Sequence, residues 1–183
     1  MNTKGQISGS ISKEILKTPT KITFDNKNFR FSSVVSGDHY VLYLTLSDHP
    51  QLLLVNSLIN DGNPTVIPLL ENQIPVSLFG GDQNCGIVDS TGSSIIISNM
   101  NDPTILYLSL PNDEKIISLS LCNDFFIALS STGKVYSRQF KEMSNFVEIE
   151  ELKNIKISQI SGKYSHFLAL ADDGRVFSSG NNL

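Results

Sequence analysis

Four stretches of the chain are apolar at consecutive positions instead of at every second one. They are Tyr40-Val41-Leu42-Tyr43-Leu44, Cys85-Gly86-Ile87-Val88, Phe125-Phe126-Ile127-Ala128-Leu129 and Phe167-Leu168-Ala169-Leu170. Short continuous apolar runs bounded by turn formers read as strands covered on both faces. A turn follows each run: Asp48-His49-Pro50, Thr91-Gly92, Ser131-Thr132-Gly133 and Asp172-Asp173-Gly174. A second strand follows each turn, at Gln51–Val55, Ile95–Ile97, Lys134–Ser137 and Arg175–Ser178. Asp-Gly and Thr-Gly pairs suit hairpin turns, because glycine accepts positive φ without a Cβ clash.

These units repeat. Gly92, Gly133 and Gly174 lie 41 residues apart, as do Val88, Leu129 and Leu170, so the last three copies keep register without gaps. The first copy, from Val34-Val35-Ser36-Gly37, stands 44 residues before the second. A period of forty to fifty residues with several strands per unit points to propeller blades. One hairpin is marginal in water, so each unit needs a neighbour. The last hairpin, Ser165–Gly180, is expected to lean on the next blade, with both faces dry. Burying one Leu or Phe there contributes roughly 1.5–3 kcal/mol, and several per blade are needed to offset the ordering entropy. The fold class is all-β.

Composition agrees and excludes several functions. Charged residues are 17% of the 183-residue chain, with serine and asparagine in their place, a profile of turn-rich β proteins. Net charge is −4 and the pI about 5.3. Lys4, Lys13, Lys17, Lys21 and Lys27 are spread out, whereas nucleic acid or an anionic membrane calls for clustered positive charge. Direct binding to either is not expected. Cys85 and Cys122 form no disulfide framework, no apolar segment follows Met1, and no apolar run approaches a membrane-spanning length. The expectation is an intracellular chain with reduced thiols, cytoplasmic, with the nucleus as the alternative compartment.

Candidate chemistry is sparse. His39 and His166 begin equivalent strands and His49 sits in a turn beside Pro50, with no spacing typical of metal ligands. His166 is expected to hydrogen-bond within its own blade. Cys85 and Cys122 occupy different repeat positions and read as buried inert thiols. Asp172-Asp173 belongs to a hairpin turn, and Glu148, Glu150 and Glu151 to a solvated link between blades. Gly80-Gly81-Asp82 lacks the Lys and Ser/Thr of a phosphate loop. No catalytic, cofactor-binding or metal-binding residue is assigned. The loops Asn56–Thr65 and Asn99-Met100-Asn101-Asp102-Pro103 are the expected binding surface, because loops on a rigid scaffold carry recognition.

The order apolar–small–small–Gly–x–x–His–Ser/Thr–apolar–Ala–Leu, then Asp-Gly, Val-Tyr/Phe and Gly-x-Asn, resembles the repeat of the regulator of chromosome condensation (RCC1) family. His166, Ala169, Leu170, Asp173, Gly174, Val176, Phe177, Gly180 and Asn182 carry it in the last copy. Asn2-Thr3-Lys4-Gly5-Gln6-Ile7-Ser8-Gly9 resembles the family's Asn-x-x-Gly-Gln-Leu-Gly segment, with Pro19 and Ile22 matching its Pro-x-x-Val. The pattern is degenerate elsewhere. The glycine is kept as Gly37 and Gly81 but becomes Cys122 and Lys163, and the histidine position holds Tyr40, Asn84, Phe125 and His166.

The resemblance implies seven-bladed β-propellers. Residues 1–183 are therefore read as a single RCC1-like repeat domain, with hairpins about 31–57, 75–98, 116–138 and 157–180, as an incomplete part of such a propeller. A small closed ring, one blade completed from both chain ends, and pairing of open ends between molecules are the alternatives. The functional expectation is a non-enzymatic protein–protein interaction module. Its alternative is guanine-nucleotide exchange on a Ran-like small GTPase, although no segment matches the protruding wedge that activity calls for. The expected partner is a protein, a small GTPase being one class, with self-association through open blade edges as a further expectation.

Overall fold

The computed structural model describes residues 29–56, 63–71, 73–98, 104–140 and 145–181. Among these the chain forms fifteen strands in four antiparallel sheets, each made from one consecutive segment. The first sheet has β1 (Phe31–Ser36), β2 (Tyr40–Thr45), β3 (Leu52–Asn56) and β4 (Pro64–Ile67). The second has β5 (Pro75–Gly80), β6 (Cys85–Asp89), β7 (Ser94–Ser98) and β8 (Thr104–Leu108). The third has β9 (Ile116–Leu121), β10 (Phe125–Ser130), β11 (Val135–Gln139) and the short β12 (Val147–Glu148). The fourth has three strands, β13 (Ile157–Lys163), β14 (His166–Ala171) and β15 (Val176–Gly180). The amino-terminal matches Asn2–Gly9, Pro19 and Ile22, the five early lysines, the loop Asn99–Pro103, much of the loop after Asn56, and Asn182 lie outside the described residues.

The apolar runs become the second strands of the sheets. β2, β6, residues Ser94–Ile97 of β7, and all of β10 except Phe125 bury successive side chains, because sheets flank β6, β7 and β10 on both faces while β2 has the second sheet on one face and Phe29 and Phe31 on the other. Since side chains alternate across a strand, each run divides into two layers. Tyr40, Leu42 and Leu44 pack with Cys85, Ile87, Ile95 and Ile97 between the first and second sheets. Val88 and Ile96 pack with Phe126, Ala128 and Tyr136 between the second and third. Ile127, Leu129 and Val135 pack with Ile160, Phe167, Ala169 and Ala171 between the third and fourth. Contact from sheet to sheet is concentrated at the first strands, where β1 meets β5, β5 meets β9 and β9 meets β13. Consecutive sheets thus stack as wedges joined along one side.

The fourth sheet departs from the sequence expectation. Its hairpin leans on the preceding sheet, and β14 alternates: Phe167, Ala169 and Ala171 are buried while His166 and Leu168 face outward. Among the described residues no further sheet lies beyond it, so one face of an apolar strand is wet. Glu148, expected in a solvated link between blades, pairs with Tyr136 as part of a short fourth strand.

The sequence shows a hairpin per unit, yet the blade has more. Each first strand is only partly buried and carries a bulge at one repeat position, occupied by Ser32, Val76, Ile117 and Ser158. The two serines cap the bulge by donating to the carbonyls of Leu44 (3.3 Å) and Leu170 (3.1 Å).

The hairpin turns are alike to within a tenth of an ångström. Gly92, Gly133 and Gly174 have φ of +85°, +88° and +89°, and each donates at 3.0 Å to the carbonyl three residues back. The carbonyls of Gly92 and Gly133 then accept from the amides of Ile116 and Ile157 in the following sheet, both at 2.9 Å. A Cβ at Gly92 would lie 2.5 Å from Lys115 Cβ, whereas one at Gly174 would meet nothing within 4 Å.

Two predictions follow from this repeat geometry. Gly174→Ala costs about 1–2 kcal/mol from left-handed strain, and Gly92→Ala adds about 1–3 kcal/mol of overpacking against Lys115; urea unfolding of both variants measures the difference. Ile127 and Leu168 hold one repeat position, at 1% and 46% exposure. Ile127→Ala should cost about 2–5 kcal/mol and Leu168→Ala less than about 1 kcal/mol, read from the same unfolding curves.

Candidate interaction surface

The polar positions singled out in the sequence gather at the corner between the first and second strands of each sheet. The corners are Gly37-Asp38-His39-Tyr40, Gly81-Asp82-Gln83-Asn84, Cys122-Asn123-Asp124-Phe125 and Lys163-Tyr164-Ser165-His166. Their hydrogen bonds run between sheets. The Asp38 amide donates to the Asp82 carbonyl at 2.9 Å, and the Asn123 amide to the Tyr164 carbonyl at 2.8 Å. Ser120 Oγ donates to the Gly162 carbonyl at 3.1 Å while accepting from the Gly162 amide at 2.6 Å.

The repeat's histidine position acts in the same way. Tyr40 donates its hydroxyl to the carbonyls of Gly81 (2.7 Å) and Asn84 (2.6 Å) in the next sheet. Asn84 Nδ2 donates to the Cys122 carbonyl at 3.4 Å. Phe125 substitutes packing for a hydrogen bond, lying edge-on to Phe167 with centroids 6.3 Å apart. The position therefore ties a blade to its successor. His166 is exposed on the outward face, and among the described residues its ring reaches no partner within its own blade. The own-blade bond expected from the sequence is replaced by this outward placement, because the partner position belongs to the following sheet.

Burial governs the electrostatics of the corners. Tyr40 is fully buried, and desolvation, followed by the nearby Cys85, pushes its phenol far above the usual tyrosine range. Desolvation likewise raises the Cys85 thiol strongly, and desolvation with a smaller contribution from Asp124 takes Cys122 to about 11. Both thiols stay protonated near neutrality, and Cys122 Sγ lies 3.6 Å from the His166 carbonyl. Where the repeat has glycine in the last copy, Lys163 extends its ammonium to Asp82 (3.3 Å), two sheets away.

The remaining candidates are dispersed. His39 is half-buried at one corner of the first sheet and His49 is exposed in the turn between β2 and β3. Among the described residues no three His, Cys, Asp or Glu side chains gather as a metal site, and no helix is long and apolar enough to cross a membrane. Asp172 pairs with Lys156 (2.7 Å) and Asp173 with Arg175 (2.7 Å) around the last turn; the Arg175 hydrogen bonds hold the Asp173 carboxyl below the usual range. Glu150 pairs with Lys153, and Glu151 is exposed. Gly80-Gly81-Asp82 is a corner turn. A Cβ at Gly81 would come within 2.3 Å of the Leu121 carbonyl, so that glycine answers to the approach of the third sheet. An open cleft of about 460 Å³ lies beside Gly133, but its lysines Lys134, Lys153 and Lys156 already pair with Glu114, Glu150 and Asp172.

Sequence reasoning missed the outward face of the fourth sheet. Leu168 is 46% and Val176 63% exposed, with Leu170 half-buried beside them. The signal was present in the register: Leu129, Leu170 and Val135, Val176 are the same repeat positions, buried in the third sheet and half-buried (Leu170) or exposed (Val176) in the fourth.

Comparison with known proteins places the fold. Residues 157–183 match the family model of the regulator of chromosome condensation (RCC1) repeat, as the sequence pattern implies. No curated protein sequence matches the chain. The crystal structure of human WBSCR16 superposes with a TM-score of 0.72 at 17% identity, over 100% of this chain and 56% of that one. Yeast RCC1 (Prp20) bound to Kap60 gives 0.67 at 14% identity, over 93% and 47%. Prp20p from Saccharomyces cerevisiae, solved alongside its binding properties to Gsp1p and histones, gives 0.67 at 13%, over 93% and 48%. The chain thus spans about half the length of these proteins and has their blade architecture.

The corner chemistry carries one prediction. Tyr40→Phe removes the one buried hydroxyl proton that the Gly81 and Asn84 carbonyls share and should destabilise the protein by about 1–3 kcal/mol. Because the folded phenol titrates higher than the unfolded one, the contribution of Tyr40 to stability is fully present below about pH 10 and is lost above it. Urea unfolding against pH should show that alkaline loss reduced in Tyr40→Phe, with the remainder from Tyr43, Tyr136 and the thiols of Cys85 and Cys122, which burial shifts in the same direction.

Proposed function

Starting from blades of the RCC1 type, we propose that this chain is a non-enzymatic protein-interaction module, a rigid stack that offers its surfaces to a protein partner. The observation that carries the reading is the use of the repeat's polar positions. Tyr40, Asn84 and Ser120 spend their hydrogen bonds joining one sheet to the next, and Cys85 and Cys122 are protonated and buried. These groups make the stack stiff, and what they leave for recognition is shape and exposed apolar area. A preformed surface loses little ordering entropy on binding, which suits a docking platform. The cytoplasm, with its reducing conditions, is the compartment this reading assigns.

Guanine-nucleotide exchange on a Ran-like small GTPase is the second reading. The shared fold with Prp20p, described with its binding properties to Gsp1p, favours it. The two readings separate in one assay. The purified chain is added to a Ran-type GTPase loaded with fluorescent GDP, and release is followed with time. The module reading expects the intrinsic release rate, whether or not the two proteins bind; accelerated release would replace it with the exchange reading.

A further inference from the structure

We propose that the outer edge of the second sheet is a self-association site, where β8 of one copy adds antiparallel to β8 of another about a two-fold axis through Leu106. The inference is independent of the interaction-module reading and rests on backbone geometry.

The direction of the β8 backbone follows from the turn before it. The Asp89 amide donates to the Ser93 carbonyl at 2.9 Å. Hydrogen-bonded pairs alternate along an antiparallel ladder, so Ile87 with Ile95 and Cys85 with Ile97 are the bonded pairs of β6 and β7. Ser94, Ile96 and Ser98 therefore turn their backbone groups the other way, toward Leu108, Leu106 and Thr104. The amides and carbonyls of Ile105 and Tyr107 are left pointing away from the sheet. β8 is the last strand in its sheet, and among the described residues no strand pairs with that side. It lies across the sheet from β5, where consecutive sheets join, so a second copy approaches without displacing a neighbour.

Self-complementarity fixes the occupant. The open groups lie one residue to either side of Leu106. With two copies antiparallel about Leu106, Ile105 of each faces Tyr107 of the other, and each of these pairs exchanges both of its hydrogen bonds. Leu106 then meets its own copy, and Thr104 meets Leu108. Thr104–Asn112 and the adjoining Ser94–Ser98 contain no charged residue, so identical edges meet without like charges. Tyr107 is 44% exposed, and its ring can cover the facing Ile105. Pairing uses up the open edge on both copies, so the assembly closes at two.

The equivalent strands of the neighbouring sheets are blunted. Counted from the Thr45 amide on the Gln51 carbonyl (3.0 Å), the same alternation turns Pro64 and Val66 of β4 outward. Pro64 has no amide hydrogen to offer there. β12 has two residues, one of them Glu148. Short strands, prolines and charges keep sheet edges from pairing, and the five residues of β8 include neither proline nor charge.

The test is the mass of the purified chain by sedimentation over a wide dilution series, with residue-resolved hydrogen exchange. Twice the 20.1 kDa chain mass is expected at high concentration, falling to one chain on dilution. The Ile105 and Tyr107 amides should be protected in the pair and exchange faster on dilution, whereas those of Leu106 and Leu108 should stay protected. Tyr107→Lys and Tyr107→Pro should each weaken pairing about tenfold or more, with the circular dichroism of the single chain retained. Val66→Lys, on the neighbouring edge, should leave the mass unaltered. Paired Leu106 Cα atoms stand about 4.5 Å apart, within disulfide reach. Leu106→Cys treated with diamide should therefore give a covalent pair, and Thr104→Cys should not; Cys85 and Cys122 are buried and leave the wild type as the blank. A single-chain mass at every concentration would overturn the proposal. So would a pair indifferent to Tyr107→Lys, polymers that grow with concentration, or crosslinking through Thr104→Cys in place of Leu106→Cys. None of these outcomes bears on the interaction-module reading, which nucleotide release tests separately.

Discussion

Everything in this molecule rests on one sheet lying against the next. A three- or four-stranded antiparallel ribbon of this size has two faces and too little area to bury either alone. Here the apolar side chains point both ways from strands β2, β6 and β10, so removing any neighbour would wet half of them. Stability is therefore a sum over interfaces between consecutive blades, as in other repeat architectures. The fourth sheet makes the point by contrast: with one neighbour among the described residues, β14 alternates between dry and wet and β15 is mostly exposed.

Apolar burial alone would let the sheets slide. The corners and turns remove that freedom. Tyr40, Asn84 and Ser120 bond into the following sheet, and the turn carbonyls of Gly92 and Gly133 accept from its first strand. The second and third interfaces are thus pinned near both ends of their strands, and the first at its corner, with the hydrophobic layer between. The polar residues that invited a chemical reading turn out to be the joints of the stack, and the surface with free capacity is apolar. This inversion moves attention from the corners to the outer edge of the second sheet.

Degeneracy in the repeat is intelligible in the same terms. Gly81 cannot carry a side chain because the Leu121 carbonyl sits where its Cβ would be. The next copy admits Cys122, whose thiol fits beside Gly162, and the last admits Lys163, whose stem runs outward to Asp82. The histidine position tolerates Tyr, Asn or Phe because each spans the gap to the next sheet by hydrogen bond or ring contact.

From the sequence alone one obtains the unit and its period: continuous apolar runs, turn glycines kept in register, and the propeller class they imply. Those features are local, set by side-chain alternation and by the φ that a turn demands. Four things were decided by tertiary structure. The first strands with their bulges and the short fourth strands are weakly patterned, since their side chains are half solvated. The direction of the corner bonds depends on which sheet lies opposite. The openness of the last face depends on what lies beyond Leu168 and Val176. Identical residues at one repeat position, Leu129 and Leu170, differ in exposure because, among the described residues, a further sheet lies over the first and none over the second.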